Sequence, residues 1–241
     1  MKDTRITKHA DAARWPQRMR WLADHCQDPR LRAFYQAGCC PPETPIAEVP
    51  MVALDFETTG LDPDQHGIVS MGLVPFSSRR ILLQQARHWV LKPRLPLEEE
   101  SVTIHGITHS DIASAPDLNL VIDDLLQQLA GRLVVVHYRA IERPFLSGAL
   151  MSRIGEGIEF PVIDTMELEA RLYRQKPPGF MDRLLGRKPE SIRLGAARQR
   201  LGLPNYKAHN ALIDAIATAE LLQAQLQHRF STTTPLGELW R

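Results

Sequence analysis

The chain has 241 residues, 44% apolar and 24% charged, with a net charge of +1, which suits one large globular domain or a domain with an appendage. No apolar run reaches the roughly 18 residues of a membrane span, and the start, MKDTRITKHADAARW, lacks an apolar signal core, which argues against export. The three cysteines, Cys26, Cys39 and Cys40, have no metal-site spacing and read as reduced thiols in a cytoplasmic protein.

The charge is uneven. Residues 51–170 hold 9 Lys/Arg against 17 Asp/Glu, whereas residues 171–207 hold 10 against 2. An acidic centre beside a basic segment suits an enzyme that holds cations and draws in a polyanion. Taken alone, the basic stretch reads first as a solvated surface.

Residues 1–50 read as a helical arm and a Pro-rich linker. Helices are expected over 16–26, with Pro16 in its first turn, and over 29–36, with Asp28 as its cap. Trp15, Trp21, Phe34 and Tyr35 are expected to pack on the main domain. Four prolines stiffen 40–50. The main domain, 51–230, opens with a strand over 51–56, a turn-rich loop 58–67, and strands over 68–76 and 81–91 joined by a turn at 77–80. Residues 98–116 read as irregular. A helix follows over 117–129, then a buried all-apolar strand over 133–136. The helix 139–154 tolerates Pro144 only in its first turn. A strand over 160–163, a helix over 164–173, a basic loop 176–189 and helices over 191–201 and 211–227 complete the domain. The tail 231–241 reads as polar and without a motif. The order βββαβαβα predicts an α/β fold, helices flanking a mixed five-stranded sheet.

The first strand carries the chemistry. In MVALDFETTGL, Asp55 and Glu57 stand two apart, so a strand puts both carboxylates on one face. Acids that close repel unless a cation lies between them, and hard oxygen ligands suit Mg²⁺ or Mn²⁺. The pair reads equally as a strand end with two solvated acids. Glu142 falls near the start of the helix after the buried strand, and Asp214 in the first turns of the last helix. His209 lies five residues before Asp214, about 140° away on a continuous helix. It therefore either belongs to the loop before that helix or does not share a site with Asp214. Asn210 as the cap allows the first arrangement. His66 and His137 read as structural.

The motifs DFETTG, HGIT, VVVHYRAIERPFL and HNALIDAIATAELL, in that order, resemble the DEDDh 3′–5′ exonucleases over residues 52–226. The first and last motifs are the specific ones. The resemblance implies a ribonuclease-H-like fold and two Mg²⁺ or Mn²⁺ ions per site, bound by Asp55, Glu57 and Asp214, with Glu142 at the fourth acidic position. It also implies His209 as general base, and Thr58 and His105 touching the terminal nucleotide. The second motif departs from the family pattern H-N-x-x-F-D-x-x-F-L. Tyr138 stands for Asn, Ile141 for Phe and Glu142 for Asp. Glu keeps the charge and adds a methylene, while Ile141 removes an aromatic surface.

Paired cations neutralise a phosphodiester, acidify the attacking water and stabilise the leaving 3′-oxygen. Histidine, with an ordinary pKa of about 6.5, takes up the water's proton. The expected activity is release of 5′-mononucleotides from single-stranded or frayed 3′ ends of DNA or RNA, with a polymerase or another replication or repair protein as partner. The rival expectation is a non-catalytic nucleic-acid-binding or polymerase-associated module that keeps the fold.

Overall fold

A computed structural model describes residues 14–94, 106–175 and 190–241. Strands β1 (Met51–Thr58), β2 (Ile68–Phe76), β3 (Arg87–Val90), β4 (Leu133–Val136) and β5 (Val162–Asp164) form one sheet in the order β3-β2-β1-β4-β5. β1, β2 and β3 pair antiparallel, as their short connections require, while β4 and β5 join in parallel on the other side of β1. The helices are α1 (Trp15–His25), α2 (Pro29–Gln36), α3 (His109–Ala113), α4 (Ile122–Leu129), α5 (Arg139–Ile154), α6 (Thr165–Gln175), α7 (Leu194–Arg200) and α8 (Ala211–Arg229). No helix among the described residues is long and apolar enough to cross a membrane.

Strand alternation divides the core in two. Val52, Leu54 and Phe56 of β1 face α4, α5 and the arm, whose Met19, Leu31, Phe34 and Tyr35 join that cluster. Met51 and Ala53 face α8, through Ala215, Ala219 and Leu222. With a period of two, Asp55 and Glu57 continue the α8 face. The small side chains of α8 let its backbone approach the sheet closely.

Several expectations are corrected. Within 98–116, expected to be irregular, Thr108 and Asp111 form the capping box of α3, and the helix expected over 117–129 is a 3₁₀ turn at Leu118–Leu120 followed by α4. The third strand is only Arg87–Val90; Ile81 makes a single bridge to Phe76, and Leu83–Gln85 is a 3₁₀ turn. Pro75 explains the gap. Its carbonyl accepts from Leu82 at 2.9 Å, but it has no N–H to continue the ladder on that side. Pro144 is the sixth residue of α5 and not in its first turn; the helix runs on without the one bond its N–H would have made. Trp21 is 49% exposed, stacked on His25 at 4.1 Å with the Arg18 guanidinium 4.6 Å from its ring, so it does not pack on the main domain. In the tail, Leu236, Leu239 and Trp240 are fully buried. Arg241 and Val162 exchange backbone hydrogen bonds of 3.0 and 2.7 Å, which extends the sheet edge beside β5. The basic loop 176–189 lies outside the described residues.

Candidate active site

Asp55, Glu57 and Asp214 each offer a carboxylate oxygen, and these oxygens all lie within 4.8 Å of one another. The strand supplies two of them from one face. α8 supplies the third because of how its first turn is built. The Asn210 side chain accepts from the Ile213 N–H at 3.1 Å, which fixes the helix start. The chain before it turns back through His209, at φ 68°, so that the backbone N–H groups of His209 and Asn210 donate to Asp214 Oδ2 at 2.8 and 3.2 Å. His209 therefore belongs to the loop before the helix, the first of the two arrangements its spacing allows. Its ring is exposed, and its charge bears on Asp214.

Gly72 makes this arrangement possible. It pairs with Asp55 across the ladder, and a Cβ there would lie 2.1 Å from the Ala211 carbonyl carbon and oxygen. Only a glycine lets the start of α8 rest on β2 beside the acids. The sequence reading passed over Gly72, although a glycine inside an apolar strand marks a close backbone approach.

Glu142 reaches the site from the other face of the sheet, as the fourth residue of α5. It is 2% exposed, and among the described residues its Oε2 has no hydrogen-bond partner. Its charge bears on Asp55, but it is not one of the three acids whose oxygens lie within 4.8 Å of one another. Asp164, also passed over, holds the turn that launches α5. It accepts from the backbone of Tyr138 (3.2 Å) and Arg139 (3.1 Å), from the Arg139 guanidinium (3.0 Å) and from the backbone of Met166 (3.0 Å) and Glu167 (3.2 Å). An acid between a strand and the run Thr165-Met166-Glu167 is a capping signal that sequence alone contains.

Burial dominates the electrostatics of the cluster. It pushes Asp55 well above the ordinary carboxylate range, and the neighbouring Glu142, Asp214 and Glu57 charges push it further. Burial, then the Asp214 charge, takes Glu57 up to about 7. Burial takes Glu142 up to about 8, against a backbone hydrogen bond that lowers it. Asp214 is raised by burial despite the two N–H groups it accepts. Such a set of close, desolvated acids with an orphaned oxygen fits hard divalent cations, whose charge would offset the repulsion.

The remaining candidates are placed as follows. Thr58 sits where the β1–β2 register shifts, and its hydroxyl donates to the Gly60 carbonyl at 2.6 Å, closing the loop beside Glu57. His105 lies outside the described residues. His137 is half-buried with its Nδ1 2.8 Å from the Thr165 hydroxyl, and desolvation takes its pKa down to about 4, which keeps it neutral. In the basic segment, Arg198 binds Glu220 at 2.7 Å and Arg200 binds Glu169 at 3.0 Å. Arg171 donates to the Glu238 carbonyl at 2.7 Å. These arginines hold the fold together.

A mixed five-stranded sheet with acids gathered from β1 and two helix starts defines a ribonuclease-H-like fold with a carboxylate cluster. The exonuclease family model of the RNase T type matches residues 52–222, and the chain belongs to that family. The resemblance to DEDDh 3′–5′ exonucleases is thereby borne out. A PolC-type DNA polymerase III from Thermotoga petrophila is 29% identical over 170 residues, 70% of this chain and 11% of that one. The epsilon subunit of DNA polymerase III from Pasteurella multocida is 28% identical over 180 residues, 70% of this chain and 65% of that one. The chain thus spans about a tenth of the PolC-type relative. Among solved structures, the nuclease domain of 3′hExo, a DEDDh family member bound to rAMP, matches with a TM-score of 0.60. That match has 17% identity and covers 75% of this chain and 92% of the other.

Proposed function

We propose that the protein is a metal-dependent 3′–5′ exonuclease that releases 5′-mononucleotides from single-stranded or frayed 3′ ends of DNA, and of RNA by the same chemistry. One observation carries this reading: three carboxylates lie within 4.8 Å of one another, and the charge of a buried Glu142, whose Oε2 no group among the described residues satisfies, bears on Asp55. Asp55, Glu57, Asp214 and Glu142 would hold two Mg²⁺ or Mn²⁺ ions. When bound, these supply positive charge for the phosphodiester and acidify the attacking water. The exposed His209 ring takes that water's proton, and the Asp214 carboxylate beside it stabilises the imidazolium. Thr58 holds the loop over which the terminal nucleotide lies, and His105 contacts that nucleotide. Residues 51–230 carry the nuclease, a cytoplasmic enzyme whose core the arm within 1–50 and the tail 231–241 help to cover. Kinship with named DNA polymerase III subunits supports a polymerase or another replication or repair protein as partner.

The test is hydrolysis of 5′-labelled DNA and RNA oligonucleotides. A single-nucleotide ladder that needs Mg²⁺ or Mn²⁺ and disappears in Asp55→Ala is expected. No ladder with either metal, or full activity in Asp55→Ala, refutes the reading. The non-catalytic alternative rests on the altered second motif, Tyr138, Ile141 and Glu142, and on the N-terminal arm. It requires a silent wild-type protein that gains activity in Glu142→Asp.

A further inference from the structure

Among the described residues, two that are not glycine adopt a positive φ: His209 at 68° and Tyr138 at 102°. Both precede helices whose fourth residue is an acid of the cluster, Asp214 and Glu142. The turn at His209 is accounted for by the hydrogen bonds it gives Asp214. The turn at Tyr138 is held by Asp164, which receives the backbone N–H groups of Tyr138 and Arg139. That explains how the strain is maintained and not what it is for. A side chain at this φ costs on the order of 1–3 kcal/mol and persists only where the surroundings impose it.

The fold covers the Tyr138 ring only in part. It is 48% exposed, and among the described residues its hydroxyl makes no hydrogen bond. Its position is specific. β4 runs parallel to β1 with Val135 opposite Ala53. Asp55 follows Ala53 by two residues and Tyr138 follows Val135 by three, so both emerge at the same edge of the sheet. Glu142, whose charge bears on Asp55, lies one helical turn beyond Tyr138. An aromatic ring is thus held in solvent at the edge where the acids converge. Nearby, Ile141 offers no aromatic surface.

We infer that Tyr138 is a stacking platform for a base near the 3′ end of the bound strand. The inference rests on the proposed function for the polymer and for its polarity, but it needs only binding, not hydrolysis. Base–aromatic stacking tolerates any base, because each has a π-face, and this suits a site whose acids act on the backbone.

Two variants of the full chain separate the ring from the strain. Tyr138→Gly removes both, since glycine adopts positive φ freely; Tyr138→Leu removes the ring and keeps the strain. The probe is a fluorescein-labelled single-stranded oligonucleotide, measured by anisotropy with Ca²⁺ in place of Mg²⁺, either intact or with one abasic site at each of its last three positions. Both variants should weaken binding by about tenfold, the scale of one stacked base. Tyr138→Phe should match the wild type, and Tyr138→Gly should melt no lower than the wild type. The loss should vanish at the one abasic position that already lacks the stacked base. Unchanged affinity in Gly and Leu, or a loss equal at all abasic positions, overturns the inference. A wild type that binds but leaves no ladder with Mg²⁺ or Mn²⁺ refutes the exonuclease reading while the stacking result still stands or falls by the variants. A wild type that does not bind overturns both.

Discussion

Two buried glutamates make an informative pair. Glu169, on α6, is 0% exposed, and Glu142, on α5, is 2% exposed. Glu169 receives Arg229 (2.5 Å), Gln225 (2.7 Å) and Arg200 (3.0 Å). Although burial alone would raise its pKa, these partners take it below the ordinary range. Glu142 has a bare oxygen and acidic neighbours, and burial takes it up to about 8. Burial is therefore not what separates a structural acid from a functional one. The fold satisfies Glu169 with its own cations, tying α6, α7 and α8 together. Among the described residues no cation pairs with Glu142, Asp55 or Glu57, whose charge a bound metal would offset.

That contrast can be broken from either side. The largest effect belongs to Asp55→Ala, which should lower the hydrolysis rate by at least about 10³-fold by removing the acid at the centre of the cluster. Its metal-free melting temperature should not fall, because a repelling charge has gone. Oligonucleotide assays and calorimetry check the two halves. Glu169→Gln should destabilise the protein by about 3–5 kcal/mol in urea titration, since it removes the buried carboxylate that Arg229 and Arg200 share. Glu142→Gln at the same burial should be neutral or stabilising without metal. Equal losses in both would erase the distinction. Gly72→Ala should cost about 1–3 kcal/mol or more and lower activity with it, because its Cβ would meet the Ala211 carbonyl at 2.1 Å.

The pH dependence sharpens the same point. Glu57 and Glu142 have folded-state pKa values of about 7 and about 8, above those of the unfolded chain. Between roughly pH 4.5 and 8 the folded state therefore binds more protons, and stability falls as pH rises. The metal-free protein should lose at least a few degrees of melting temperature between about pH 5 and 8.5. Mg²⁺ or Mn²⁺ should restore most of that at the upper end and little at the lower. A flat profile without metal would mean that the acids are already compensated.

The elements were legible where local rules agree with tertiary need. β2, β4, α2 and α5 fall where period and capping place them, and Asp28 and Asn210 cap α2 and α8 as their side chains allow. The third strand misled because Leu82 and Leu83 continue an apolar run, while the missing N–H of Pro75 acts across the sheet. The tail misled because three buried side chains are spread through polar neighbours, and only their contact with Ile163 and α8 reveals them. Exposed Trp21 is the converse case, an aromatic that finds partners on its own helix.

For the site, the chain's own pattern determined which residue types were available: two acids on one strand face, an acid at the start of each of two helices, and a histidine before a capped turn. Those are local properties, set by the strand period and by capping chemistry. Only the tertiary structure decided that they meet. α8 can rest on β2 because Gly72 has no side chain, and α5 brings Glu142 close enough for its charge to bear on Asp55. The left-handed turns at His209 and Tyr138 exist because Asp214 and Asp164 receive their N–H groups. Approach distances, orphaned oxygens and imposed backbone strain arise between segments far apart in the chain, where no periodicity within either segment records them.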